Sequence, residues 1–262
     1  MKKISVILAL LLCSLLSVNA QNEEADESSS SSVDLGLDVG VEKKVSKKIN
    51  VALDAEYRSR DWLNETDKVS ISPSMEYKFL KHLKATVGGA FLYTNNETKQ
   101  KYRSSGSLKW ERPSYWAPRY RLFAALTGDV DLGRWNISLR ERYQYTYRSE
   151  YTATRNYYTA DGDFNYSEDD LRESKNYHAL RSRLMVGYNI RKCPLDPFAS
   201  VELTHDLDGF SLSKVRYTAG LDWKVSKQHI ITFTYMYQNL KGDDGEADVN
   251  GSILSLGYKF KF

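Results

Sequence analysis

The chain closes on "ILSLGYKFKF", residues 253–262. Leu254, Leu256, Tyr258, Phe260 and Phe262 share one parity. Ile253, Ser255, Gly257, Lys259 and Lys261 share the other. Successive strand side chains point to opposite faces. This is therefore a strand with one apolar and one mostly polar face, carried to the last residue. Chain ends ordinarily fray, so such an ending asks where a greasy, terminal strand face would be at home.

The same two-residue period recurs upstream. In "INVALDAEYRSR" (49–60), Ile49, Val51, Leu53, Ala55 and Tyr57 alternate with Asn50, Asp54, Glu56, Arg58 and Arg60. In "WNISLRERYQYTYR" (135–148), Trp135, Ile137, Leu139, Tyr143, Tyr145 and Tyr147 alternate with polar residues. Glu141 breaks that run by falling on the apolar parity, which fits a bulge or a place near a membrane boundary. "SKVRYTAGLDWK" (213–224) repeats the pattern, as do stretches near 33–43, 68–79, 84–94, 118–131, 178–190, 197–207 and 229–240. Connections alternate between short ones, such as "KVSKK" and "LGR", and longer polar ones, chiefly 95–117 and 149–177.

The opposite terminus indicates a compartment. Residues 1–20, "MKKISVILALLLCSLLSVNA", combine Lys2 and Lys3, an apolar run and a small residue before a cut. That is a cleavable signal peptide, with cleavage expected after Ala20. The run is short for a membrane-spanning helix, which needs about 20 apolar residues. Residues 21–32, "QNEEADESSSSS", read as a disordered acidic and serine-rich lead. Cys13 leaves with the signal, so Cys193 has no internal disulfide partner and is expected in a turn.

The chain has 37 Lys and Arg against 34 Asp and Glu. Losing Lys2 and Lys3 leaves 35 − 34, near neutrality, so no basic excess points to nucleic acid. Aromatic residues make up 13% of the chain, 19 of them tyrosine. A polar chain this aromatic suits a sheet wetted on one face and greasy on the other. A bilayer offers backbone groups no water, so only helices and closed barrels span it. The two-residue period leaves the barrel. The expected fold is all-β: an antiparallel transmembrane β-barrel of about 10–12 strands, with short periplasmic turns and long extracellular loops. It would occupy 33–262. Segment 33–43 starts on the awkward side. It reads as an extra strand, a partner of an unseen twelfth, or a plug or periplasmic arm. Tyr57, Tyr77, Tyr93, Trp135, Tyr188, Trp223, Tyr237, Tyr258 and Phe260 fit two aromatic girdles.

Two resemblances sharpen this reading. "LGYKFKF" resembles the terminal signal of bacterial outer-membrane barrels. The likeness implies that Tyr258, Phe260 and Phe262 form an assembly signal read by the barrel assembly machinery. Beyond residue 33, "EKKVSKKINVALDAEYRSRD", "RYRLFAAL", "LRERYQY", "HALRSRLMVGYNI" with "DPFASVEL", and "VRYTAGLDWKVSKQHIITFTYMY" resemble an uncharacterised outer-membrane family, a domain of unknown function. That implies location in the bacterial outer membrane, with its lipid and lipopolysaccharide as surroundings, and no particular activity.

With the apolar parity facing lipid, four R-x-R pairs enter the lumen: Arg58/Arg60, Arg119/Arg121, Arg140/Arg142 and Arg181/Arg183. Glu56, Glu76 and Glu202 join them, with Asp54, Asp129, Asp206 and Asp222. One reading is an internal salt-bridge network in a structural or binding barrel. Another is a small anion-preferring pore, since Arg and Lys rings select anions. A third is a lipid hydrolase or acyltransferase, for which His178 near Ser174, Ser182 and Glu173 is the best grouping among His82, His178, His205 and His229. No phosphate loop, dinucleotide fingerprint or zinc spacing implies a cofactor. "GDDGEAD" (242–248) and "DGDFNYSEDD" (161–170) are acidic but lack EF-hand spacing, and read as solvated loops. Oligomeric state is open.

Overall fold

A computed structural model describes residues 33–241 and 249–262. The proposed signal and lead, residues 1–32, and "GDDGEAD" lie outside the described residues. Every regular element is a strand: β1 (Val33–Lys44), β2 (Ile49–Arg60), β3 (Glu65–Leu80), β4 (Leu83–Asn96), β5 (Lys99–Tyr102), β6 (Leu108–Arg112), β7 (Tyr115–Leu132), β8 (Trp135–Arg148), β9 (Tyr151–Tyr158), β10 (Phe164–Arg172), β11 (Lys175–Tyr188), β12 (Leu195–Asp206), β13 (Ser211–Lys224), β14 (His229–Leu240) and β15 (Val249–Lys261).

Eleven of these close a barrel in the order β1-β15-β14-β13-β12-β11-β8-β7-β4-β3-β2. Neighbours are antiparallel except at the seam, where β1 runs parallel to β15 with Val33 opposite Ser252 and Glu42 opposite Lys261. Segment 33–43 is thus a wall strand, not a plug or an arm, and it gives the described barrel an odd number of strands. The seam packs closely on its inner side. A Cβ on Gly36 would lie 2.4 Å from Ser255 Oγ, and one on Gly40 would lie 3.4 Å from Lys259 Cε across the seam and 2.5 Å from Asp54 Oδ1 on β2. The backbone closes it as well: Lys44 N donates to Phe262 O (3.1 Å), and Phe262 N donates to Glu42 O (3.0 Å).

The long connections are not loops. β5–β6 and β9–β10 are hairpins that prolong the barrel strands and join in a separate sheet, order β10-β9-β6-β5. β5 and most of β10 are exposed, so a two-residue apolar period has no cause to develop there. Trp110 pairs with Tyr157 and Glu111 with Asn156 between the hairpins. Side chains reinforce the joint. Asp170 Oδ2 accepts from Arg112 (2.8 Å), and Asp170 Oδ1 pairs with Arg155 (2.8 Å). Tyr115 stacks on Tyr151 at 4.9 Å.

Partial burial pushes the Asp170 carboxyl up, but the hydrogen bonds and charges of Arg112 and Arg155 outweigh it and hold the group below its ordinary range. A depressed carboxylate contributes stability above its unfolded pKa, and this is lost as pH falls through the folded value. Asp170 therefore clasps the hairpins at neutral pH and releases them only in acid, as pH falls through its depressed folded value. Fluorescence of Trp110, read against pH, should show this release in the wild type. Asp170→Asn should start in the released state and respond flatly; a wild-type profile in that variant would contradict the clasp.

The outer barrel wall is apolar. Leu37, Leu53, Ile71, Val87, Leu122, Leu139, Leu184, Val201, Phe233 and Leu256 are all exposed. Aromatics gather at both ends. Trp135 packs on Tyr188 at 4.7 Å, and Tyr258 lies by His229, at the end holding the short turns. Tyr93 on Trp116 (4.8 Å) and Tyr120 beside Tyr147 (6.5 Å) mark the hairpin end. Trp135 and Leu132 are joined by a short turn in which Gly133 takes φ +67°, a left-handed value that favours glycine.

Candidate functional site: a cationic lumen

Where the outer wall is greasy, the interior is built of charge. Glu202 on β12 is its anchor. Its Oε1 accepts from Arg181 Nε (3.1 Å) and approaches Arg216 Nη1 (3.5 Å), and its Oε2 accepts from Arg140 Nη2 (3.2 Å). The contact from β8 to β12 passes over β11, which only two inward-pointing side chains can do. Glu202 is 5% exposed. A carboxylate this buried requires charge-assisted partners. Opposite, Glu56 on β2 pairs with Arg58 and Lys68, each at 2.8 Å. Arg216 lies within charge reach of both Glu56 and Arg58, so the two clusters face each other across the interior.

The remaining cations are poorly matched. Among the described residues Arg142 makes no hydrogen bond or ion pair, and it rests instead on the ring of Phe123, 3.7 Å away. Phe123 can lie there because Gly88 on β4 has no side chain; a Cβ would sit 2.5 Å from the ring. Among the described residues Arg121 donates only to Thr146 Oγ1 (3.0 Å), and Arg119 only to Asn96 Oδ1 (3.0 Å). The Arg183 and Lys214 side chains make no hydrogen bond or ion pair among the described residues. The Nε atoms of Arg119, Arg140, Arg142 and Arg183 are buried without a partner.

Arg60 differs from its R-x-R companions. It sits at the hairpin end and is compensated by Asp67 (2.6 Å), Glu65 (3.5 Å) and Glu97 (3.1 Å). Glu76 sits toward the turn end, where it pairs with Lys84 (3.0 Å). There the interior opens into a cavity of about 790 Å³ lined by Lys44, Lys48, Lys78, Lys84, Lys261, Arg140 and Arg183 against Glu42, Glu76 and Asp129. Lys68, Lys214 and Arg216 join this interior from outside the four R-x-R pairs; Lys214 and Arg216 lie on the polar parity of "SKVRYTAGLDWK", and Lys68 on that of Glu76.

The histidine grouping is not assembled. His178 Nδ1 lies 2.8 Å from the Tyr143 hydroxyl, and the Ser182 hydroxyl donates to Glu141 Oε2 (2.6 Å) instead. His178 and Ser182 share the outer face of β11, separated by four residues along the strand. Strand geometry sets such positions roughly 13 Å apart. Among the described residues Ser174 makes no hydrogen bond to His178.

An all-β closed barrel with an apolar outer band, aromatic ends and a charged interior defines the class: an integral membrane barrel of the outer-membrane type. The chain belongs to the family described as a protein of unknown function, DUF2490, whose model matches residues 37–249. Among solved structures it is similar to the β domain of the Bordetella autotransporter BrkA, at 14% identity, with 84% of this chain and 86% of that chain covered and a TM-score of 0.55. It also matches the NanC porin at 13% identity, covering 88% of this chain and 98% of that one, with a TM-score of 0.49. OmpT, an outer-membrane protease from Escherichia coli, matches at 9% identity, 77% and 81% coverage and a TM-score of 0.38. No curated protein sequence matches it.

Proposed function

We propose that this chain resides in the bacterial outer membrane and binds small anions in its lumen, which it admits in preference to cations. The observation that carries the reading is the charge imbalance of the inner wall. Arg142, Arg183 and Lys214 point inward, and among the described residues none of them makes an ion pair with a carboxylate. Burying such groups unpaired is costly. A fold whose only task was to fill its lumen with salt bridges would have no reason to keep them. A mobile anion would lower that cost, and rings of Arg and Lys select anions in other pores. With the turn end taken as periplasmic, the 790 Å³ cavity is the periplasmic mouth.

The test is electrical. Purified, folded protein in a planar bilayer under a KCl gradient should give a reversal potential of the sign set by chloride. Arg183→Gln with Lys214→Gln should move it toward zero. A bilayer that stays silent, together with no retention of phosphate by the folded protein, would leave the salt-bridge filler as the better account.

Membrane delivery is proposed to follow from residues 1–20 and from an assembly signal at Tyr258, Phe260 and Phe262. In support, Phe260 and Phe262 stack at 5.6 Å, and Lys43 lies over the Phe262 ring at 5.1 Å. Phe262→Asp should lower the yield of heat-modifiable barrel in membranes at least severalfold, while detergent refolding of the same chain still succeeds. Equal membrane yields would remove the signal role.

A further inference from the structure

One charged side chain lies where none is expected. Glu141 faces outward from the middle of β8. Trp135, Ile137 and Leu139 precede it on that face, and Tyr143, Tyr145 and Tyr147 follow. At about 3.3 Å per residue and a tilt near 40°, it stands roughly 15 Å from either end of that run. The apolar band of such barrels is about 25 Å tall, so Glu141 lies near its middle. β8 and β11 run in register through this point without a bulge, so the carboxyl is not an accident of local geometry. Leu126, Leu139 and Leu184, which surround it, are 49%, 53% and 48% exposed on the same wall.

Glu141 also begins a polar stripe. The Ser182 hydroxyl donates to it at 2.6 Å. Toward the hairpin end the Tyr143 hydroxyl meets His178 Nδ1 at 2.8 Å, and the Tyr145 hydroxyl donates to Asn176 Oδ1 at 2.7 Å. Each is a contact between β8 and β11. Lipid tails offer none of these groups a partner, and a carboxyl against hydrocarbon is destabilising.

We propose that this β8–β11 wall is the surface on which two copies of the chain associate in the membrane. The stripe is self-complementary under a two-fold axis along the membrane normal. Such an axis preserves depth, and set between β8 and β11 it exchanges the two strands. Residues paired across the strands then face each other across the interface. Glu141, opposite Ser182 in the register, meets the partner's Ser182, and Tyr145, opposite His178, meets the partner's His178. A hydroxyl thus faces a carboxyl and a phenol faces an imidazole, offset in depth by only about 3 Å at a strand spacing of about 4.8 Å and a tilt near 40°. Ala124 and Gly128, beside Tyr143 and Leu139 on β7, leave the flank low enough for close approach. Polar contacts of this kind hold membrane segments together where the hydrophobic effect cannot.

The experiment uses the full chain in lipid nanodiscs, with copies counted by native mass spectrometry and folding checked by heat-modifiable migration. Wild type should give two copies. Glu141→Leu, which removes a charge from an apolar wall and leaves folding unharmed, should weaken the dimer about tenfold or more, from two symmetric contacts at roughly 0.6–1 kcal/mol each. Glu141→Gln, still able to hydrogen-bond, should retain it. In a Cys193→Ser background, co-expressed Glu141→Cys and Ser182→Cys chains should join through an intermolecular disulfide on mild oxidation. Single copies of wild type, with or without a co-purified lipid, overturn the proposal. So does an unchanged dimer in Glu141→Leu, or the absence of the mixed disulfide.

Discussion

Replacing Glu202 by Gln should cost the barrel about 3–5 kcal/mol, the loss typical when one partner of a buried ion pair is removed. Glu202 is the shared acceptor of Arg140, Arg181 and Arg216. Glutamine keeps the shape and one oxygen but withdraws the charge from all three guanidiniums at once. Arg142, Arg183 and Lys214 already lie here with no ion pair to a carboxylate among the described residues, and Glu56, the acid facing Arg216, is itself held by Arg58 and Lys68. The urea midpoint of barrel refolded in detergent, followed by tryptophan fluorescence, is the readout. The same variant should raise anion preference in bilayers, because the constriction gains positive charge. A midpoint equal to wild type would mean that water or a bound ion already screens the cluster.

A second large effect is expected from one added methyl group. Gly88→Ala places a Cβ 2.7 Å from the Pro73 carbonyl oxygen and 2.5 Å from Phe123. The ring can swing aside, but the carbonyl belongs to the neighbouring strand and moves only if the sheet does. Overpacking of this kind costs about 1–3 kcal/mol. It should also displace Phe123 from beneath Arg142, so stability and ion selectivity should change together. Gly187→Ala is the matched control. Its Cβ would meet nothing nearer than 3.9 Å, and the urea midpoint should hold within error. Equal behaviour of the two variants would show that the β3–β4 spacing yields more readily than its geometry implies.

Much of the architecture was legible because a half-greasy wall writes itself into alternate residues. Tyr57, Trp135, Tyr188 and Trp223 could be placed at wall ends, and Arg58, Arg140 and Arg181 on the inner parity, from spacing alone. Parity says which way a residue points and nothing about whom it meets. The convergence of β8, β11 and β13 on Glu202 depends on how neighbouring strands stagger. The isolation of Arg142 and Lys214 depends on the curvature of the closed wall. His178 and Ser182 share a face in the sequence, but strand rise keeps them apart and cross-strand register gives each a partner on β8. Glu141 drew attention as an exception, and register rather than composition placed it at mid-wall beside Ser182.

The last ten residues mark the same division. "ILSLGYKFKF" by itself determined a strand with one lipid-compatible face, since period and side-chain chemistry are local properties of the chain. It also shared its period with ten other stretches, which established a β-barrel. What closes the barrel was decided only in three dimensions. Val33–Lys44 lies beside Val249–Lys261 in parallel, from the far end of the chain, and makes the count odd. An amphipathic strand carries the same pattern whether its neighbour runs parallel or antiparallel. Pairing across more than two hundred residues is therefore set by ring closure, and by Gly36 and Gly40 giving the seam room, and not by any local signal.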